Sequence, residues 1–153
     1  MFSGRLTHAT IRILDRIACR TRRPTTSRSN LRIGRRGEEA AYFYLRRHGY
    51  TMVARNFRSL NGRGEIDLIG WHNDTLCFVE VKTRSATGPS QPRPEEAVNH
   101  EKRRNLSRMA RQFLRSRRIE SATCRFDVLA IETRPGQKPT VRLHKDAFGM
   151  GAD

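Results

Sequence analysis

The sequence predicts an α/β fold, a sheet enclosed by two helices in the order α-β-β-β-α-β-β. Three observations carry this. Apolar runs such as "TLCFVEVK" and "ATCRFDVLAIET" are rich in β-formers and bounded by turn residues. Two other segments repeat apolar residues at helical spacing. And 153 residues suit one domain with a real core.

Along the chain, "GEEAAYFYLRRHGY" from Gly37 reads as a helix closed by Gly49. "TMVARNFRS" reads as a strand, and "GEIDLIGWHNDTLCFVEVK" as two strands around a tight turn. "SATGPSQPRP" is a loop by its Gly, Pro and Ser content. A long helix is expected from Pro94, pre-set for a first turn, to about Arg118. "ATCRFDVLAIET" is a strand, "RPGQKP" a turn, and "TVRLHKDAF" a short strand followed by a terminal turn. The compact domain is expected over 34–150.

Residues 1–33 read as a basic extension. Residues 1–36 hold ten arginines and one acid, Asp15. "LTHATIRILDRIACR" has near-helical apolar spacing, and "TRRPTTSRSN" reads as a flexible linker. The segment is also similar in composition to an organelle transit peptide. It lacks the aromatic or Leu-rich face of membrane-surface helices, so membrane association is the least supported reading.

The chain has 31 basic against 15 acidic residues, net +16. This says nothing about fold but favours a polyanionic partner, nucleic acid above all. Cys19, Cys77 and Cys124 are odd in number and lack CxxC spacing, so they read as small buried hydrophobes in a reducing, cytoplasmic setting. No apolar run approaches the roughly 18 residues of a membrane span. The five histidines have no metal-ligand spacing, and Trp71 reads as a packing residue.

Against this basic background, Glu65, Asp67 and Glu80 sit inside apolar strand runs. Strand side chains alternate faces, so Glu65 and Asp67 share a face, as do Glu80 and Lys82. If Asn73-Asp74 form a two-residue turn, His72 pairs with Thr75, Asp67 falls opposite Glu80, and Glu65 opposite Lys82. Opposed carboxylates repel, and a bound cation would offset that. The competing account is an exposed sheet face with cross-strand pairs such as Glu65 with Lys82. Glu38 falls on the stripe of Ala41, Tyr42 and Leu45, while Glu39 turns to solvent. A core-facing acid must be paired, protonated or metal-bound; alternatively Glu38 occupies a first helical turn, where the macrodipole favours it. Oxygen-only ligands favour Mg²⁺ or Mn²⁺ over zinc. Lys82 would hold the attacking water or stabilise charge developing on phosphorus.

On the second helix, Arg104, Arg108, Arg111, Arg115 and Arg118 fall near one line, with Leu106, Met109, Ala110, Phe113 and Leu114 opposite. An ordinary solvated face is the alternative, but five arginines with no interleaved acid favour a row of phosphates. Arg55, Arg58 and Arg63, with Arg84, add positive charge beside the acids.

"GRRGEEAAYFYLRRHGY", "RNFRSLNGRGEIDLIGWHNDTLCFVEVKTR", "EAVNHEKRRNL" and "RFDVLAIE" closely resemble the YraN-like family of small uncharacterised bacterial proteins, in order from about Gly34 to Phe148. The resemblance implies a restriction-endonuclease-like mixed β-sheet of the PD-(D/E)XK superfamily, similar to archaeal Holliday-junction resolvases. On that similarity Glu38 matches the helix glutamate, Asp67 the "PD" aspartate, and Glu80 and Lys82 the "ExK" half, with Ile66 where the motif has proline. Glu65, in the "GEIDLI" block, is a secondary candidate.

Two functions compete. One is a Mg²⁺- or Mn²⁺-dependent nuclease hydrolysing phosphodiesters, of DNA before RNA, branched or single-stranded. In it Glu38, Asp67 and Glu80 are the metal ligands, and Asp67, Glu80 and Lys82 the catalytic set. The other is a non-catalytic nucleic-acid-binding protein that clamps through its arginine faces. Symmetrical cutting of two strands would require a homodimer.

Overall fold

A computed structural model describes residues 28–60, 62, 64–85 and 99–150. Its elements are α1 (Arg28–Arg47), β1 (Tyr50–Arg58), β2 (Glu65–His72), β3 (Thr75–Ser85), α2 (His100–Ser116), β4 (Thr123–Thr133) and β5 (Thr140–Phe148). The order is the one expected from the sequence.

The five strands form one mixed sheet in the order β1-β2-β3-β4-β5. Neighbours run antiparallel except β3 and β4, which are parallel. Tight turns suffice for antiparallel neighbours, whereas parallel ones need a crossover, which α2 supplies. The two helices cover opposite faces of the sheet. Ala41, Tyr42 and Leu45 of α1 share a core with Leu68, Cys77, Val79, Leu129 and Ile131. Leu106, Met109, Ala110 and Phe113 of α2 share another with Ile66, Ile69, Leu76, Phe78, Phe126 and Val128. Cover on both faces explains why β3 and β4 read as near-continuous apolar runs.

The β2–β3 turn is the two-residue one expected. His72 pairs with Thr75, and the ladder continues to Leu68 with Val79. Cys77 and Cys124 are free thiols, Cys77 buried, and Trp71 packs against the α2-side core. Cys19, the possible N-terminal helix and most of the linker lie outside the described residues.

Both helix starts differ from expectation. α1 begins at Arg28, within the stretch read as linker and nine residues before Gly37. The helix was expected to start at Gly37, but Gly37 is buried mid-helix, where a Cβ would stand 1.9 Å from Thr83 Oγ1. Its missing side chain lets α1 lie against β3. Glu38 is therefore well inside the helix, so the macrodipole at a first turn does not account for it. α2 begins at His100: Asn99 has extended backbone, and its side chain accepts the Lys102 N–H as an N-cap. A helix continuous from Pro94 is incompatible with that cap. At the far end, Arg118 lies beyond α2 with φ 54°. β5 runs unbroken to Phe148, where a terminal turn was expected.

Candidate functional site

Strict alternation fails at one level of the sheet, and this shapes the site. Ile66 and Ile69, three residues apart, both face the α2-side core, while Leu68 faces the α1 side. On β1 the same slip occurs. Ala54 and Phe57 pack toward α2, whereas the Arg55 guanidinium lies 4.8 Å over the Tyr42 ring of α1. Arg55 pairs with Leu68 and Phe57 with Ile66, which leaves Asn56 and Asp67 facing each other across the irregularity. Asn56 has φ 50°, a left-handed conformation that asparagine tolerates better than most residues.

At the same level β2 leaves β3. The ladder ends at Leu68–Val79, and the next free donor on β3, the Val81 N–H, goes to Asp67 Oδ2 at 2.7 Å. The carboxylate fills the fork by replacing a strand carbonyl. Glu80, on β3, points to the α2 side of this fork. Its Oε1 lies 2.9 Å from Lys82 Nζ and 3.2 Å from Lys102 Nζ of α2. Glu38 reaches the fork from α1, and Asn56 Nδ2 donates to its Oε2 at 3.1 Å. Glu38, Asp67, Glu80 and Lys82 thus line one cavity of about 360 Å³, with Ile33, Gly34, Val81 and Thr83.

The electrostatics are unfavourable to three free carboxylates. Glu80 is only 6% exposed, and its Oε2 is buried without a hydrogen-bond partner. Asp67 is pushed up to about 8 from its usual 3.8, first by burial and then by the neighbouring Glu80 carboxylate. Burial and like charge both disfavour its ionised form, against the Val81 hydrogen bond. Two lysines already stand at Glu80, where positive charge offsets the buried acid.

All the acidic donors are carboxylate oxygens, the set a hard divalent cation takes, and one buried oxygen, Glu80 Oε2, lacks a partner. With the side chains as placed, no three His, Cys, Asp or Glu groups among the described residues are grouped closely enough to hold one ion. The residues match such a cation in donor chemistry, and side chains would have to rotate to bring three of them onto one ion.

Other sequence candidates are placed differently. Glu65 does not face Lys82. It pairs with Arg58 at 3.2 Å on the β1 side, because β2 has already parted from β3. The expected single face carrying Glu65, Asp67, Glu80 and Lys82 is therefore replaced by a fork fed from both sides of the sheet. Arg104, Arg108, Arg111 and Arg115 are exposed along α2, opposite the buried Leu106, Met109, Ala110 and Phe113. Arg84 is half-buried on β3 past Lys82, and Arg63 lies outside the described residues.

Two contributors had escaped the sequence reading. Lys102 is one turn before Leu106, on the apolar stripe of α2, where a lysine needs an acid to meet. Asn56 is a poor strand former inside a run of good ones, a mark of irregular backbone.

A separate buried network holds the β4–β5 side. Arg125 Nε donates to Asp127 Oδ1 at 2.9 Å, the Tyr50 hydroxyl donates to Asp127 Oδ2, and the Asp146 N–H donates to Asp127 Oδ1. Its polar groups are mutually satisfied, which marks it as structural. No helix among the described residues is long and apolar enough to cross a membrane.

Among relatives, a UPF0102 protein of Koribacter versatilis (strain Ellin345) is 44% identical over 148 residues, covering 96% of this chain and 97% of its own. That match takes in most of the basic N-terminal segment as well. A UPF0102 protein of Solibacter usitatus (strain Ellin6076) is 46% identical over 123 residues, 79% of this chain and 88% of its own. One from Symbiobacterium thermophilum is 43% identical over 117 residues, covering 76% and 96%. With a family model matching residues 37–131 as well, the chain belongs to the uncharacterised protein family UPF0102.

Proposed function

We propose that the protein is a metal-dependent nuclease that hydrolyses nucleic-acid phosphodiester bonds, DNA before RNA. The observation that carries this reading is the meeting of Glu38, Asp67, Glu80 and Lys82 on one cavity at the β2–β3 fork. Glu38, Asp67 and Glu80 would hold Mg²⁺ or Mn²⁺. When bound, the metal supplies charge neutralisation at the scissile phosphate and a more acidic water. Asp67 is fixed for this by the Val81 N–H, and Glu38 by Asn56. Lys82, 2.9 Å from Glu80 Oε1, holds its ammonium at the cavity, where it orients water or meets negative charge developing on the phosphate oxygens. The exposed arginines of α2 and the net charge of +16 supply phosphate affinity without base selectivity.

The second reading is a non-catalytic clamp, and the paired lysines on Glu80 favour it, since they already offset that acid. The deciding test is cleavage of labelled linear, flapped, four-way-junction and single-stranded DNA, and of RNA. Each is incubated with Mn²⁺, Mg²⁺ or EDTA, beside Glu80→Ala. Metal-dependent cutting lost in the variant supports the enzyme. Salt-sensitive binding with no cutting under any metal leaves the clamp.

A further inference from the structure

A second groove, of about 720 Å³, lies between the end of β1 and the outer side of α2. Phe57 and Leu60 form its apolar floor, and Arg58, Arg108, Arg111 and Arg115 its rim. We propose that this groove takes an unpaired nucleotide of a nucleic-acid strand, its base on the apolar floor and its flanking phosphates on the arginines. The inference rests on the nucleic-acid part of the reading above and names the substrate class as one with a single-stranded portion.

Charge and shape argue for this occupant together. Among the described residues, no carboxylate lines the groove. Arg108 and Arg111 are steadied by neutral oxygens, Asn105 Oδ1 at 2.7 Å and the Met150 carbonyl at 3.2 Å, which position their charge without neutralising it. Of the four arginines, Arg58 meets an acid, Glu65. Such a rim fits phosphates. The floor fits something else. Leu60 is 91% exposed, an unusual position for a large apolar side chain in so polar a chain. Phe57 stands edge-on to Phe113 at 5.2 Å and remains only half-buried.

A duplex hides its base faces in the stack and offers this floor only phosphates and sugar. An unpaired base offers an apolar face, which aromatic side chains and guanidinium planes accept without regard to sequence. The groove also adjoins the fork. Glu65, paired with the rim's Arg58, is two residues from Asp67 on the same strand, about 7 Å of backbone. A strand lying across the carboxylate cavity would reach the groove within a few nucleotides.

The test is fluorescence anisotropy with a labelled 15-nucleotide oligo-dT and a blunt 15-base-pair duplex, in EDTA so that nothing is cut, over a series of salt concentrations. Expected is tighter binding of oligo-dT than of duplex. Leu60→Ser, at an exposed position that leaves folding intact, weakens oligo-dT about three- to tenfold and changes duplex binding less than about twofold. Leu60→Trp binds oligo-dT at least as tightly, with its added fluorescence quenched by the stacked base. Arg115→Ala weakens both ligands and lowers the salt slope by about one.

Equal preference for duplex, or a Leu60→Ser effect that is absent or the same for both ligands, overturns the proposal. So does Leu60-dependent binding of polyglutamate without binding of oligo-dT, which would assign the groove to an acidic protein partner. Groove binding without cutting under any metal removes the nuclease reading and keeps this one. Cutting with oligo-dT affinity indifferent to Leu60 does the reverse.

Discussion

Asp67 Oδ2 accepts the Val81 backbone N–H at 2.7 Å, just beyond the last ladder pair, Leu68 with Val79. A side-chain carboxylate here does the work of a strand carbonyl. It ends the β2–β3 pairing and sets an acid in the opening. The relationship explains why the acid can be tolerated; burial and the Glu80 carboxylate disfavour its ionised form against that hydrogen bond.

Asp67 pushed up to about 8 has a folded value above its unfolded one, near 3.8. The native state therefore keeps a proton that the unfolded chain releases. For this group stability is full below about pH 4 and is lost as pH rises to about 8. Asp67→Asn keeps an oxygen for Val81 and removes the charge. In EDTA its stability should match the wild type near pH 4 and exceed it by on the order of 1–3 kcal/mol at about pH 9. Urea unfolding at the two pH values measures this, and a constant difference across them would refute it.

Lys102 and Lys82 share Glu80 Oε1. If a divalent cation takes that oxygen, Lys102 competes with it. Lys102→Gln should lower the Mn²⁺ concentration needed for half-maximal thermal stabilisation, by about three- to tenfold, because binding to the native state raises its melting temperature. Glu80→Gln should abolish the stabilisation. A Lys102→Gln protein with unchanged metal response would show that the lysine is no competitor.

Gly37 meets Thr83 with no room for a methyl, a Cβ falling 1.9 Å from Oγ1. Gly37→Ala should push α1 from β3 and carry Glu38 away from the fork. The expected cost is about 1–3 kcal/mol, as for other overpacked sites. Thr83→Ala in the same chain should restore part of it. Thermal melts of the single and double variants test this, and cleavage assays should follow the same order.

Asp127 is buried with its charge met by Arg125. Asp127→Ala removes the carboxylate that Arg125 Nε and the Tyr50 hydroxyl donate to, and should cost about 3–5 kcal/mol. Because the network stands apart from the fork, metal response at a temperature where the variant remains folded should be unchanged. A lost metal response in the folded variant would couple the two regions.

Cys77 is buried, and desolvation pushes its thiol up to about 11. It should react with iodoacetamide at about pH 8 far more slowly than in urea, since the thiolate is the nucleophile. Mass spectrometry of the tryptic peptide reads the ratio, and comparable labelling with and without urea would contradict the burial.

Much of this arrangement is legible along the chain. Alternation and the Asn73-Asp74 turn lead to the His72–Thr75 register, and helical periodicity separates the arginine side of α2 from its apolar stripe. Local pattern sufficed because turn geometry and side-chain period act between near neighbours. Glu38, Asp67 and Glu80 could be singled out for the same reason, since acids inside apolar periods stand out, and Lys82 from its place two positions past Glu80.

The fork itself has no local signature. Glu65 looked like a partner for Lys82 because alternation was carried past the point where the strands separate. Gly37 looked like a helix start because the contact that requires it, with Thr83, is 46 positions away in the chain. Asn56 meets Glu38, and Lys102 meets Glu80, across elements that only folding brings together. Residue types and periods thus sufficed for the order of the elements and for singling out acids in apolar runs. Where strands part and which side chains then face one another depends on contacts between distant segments, which no short window of sequence records.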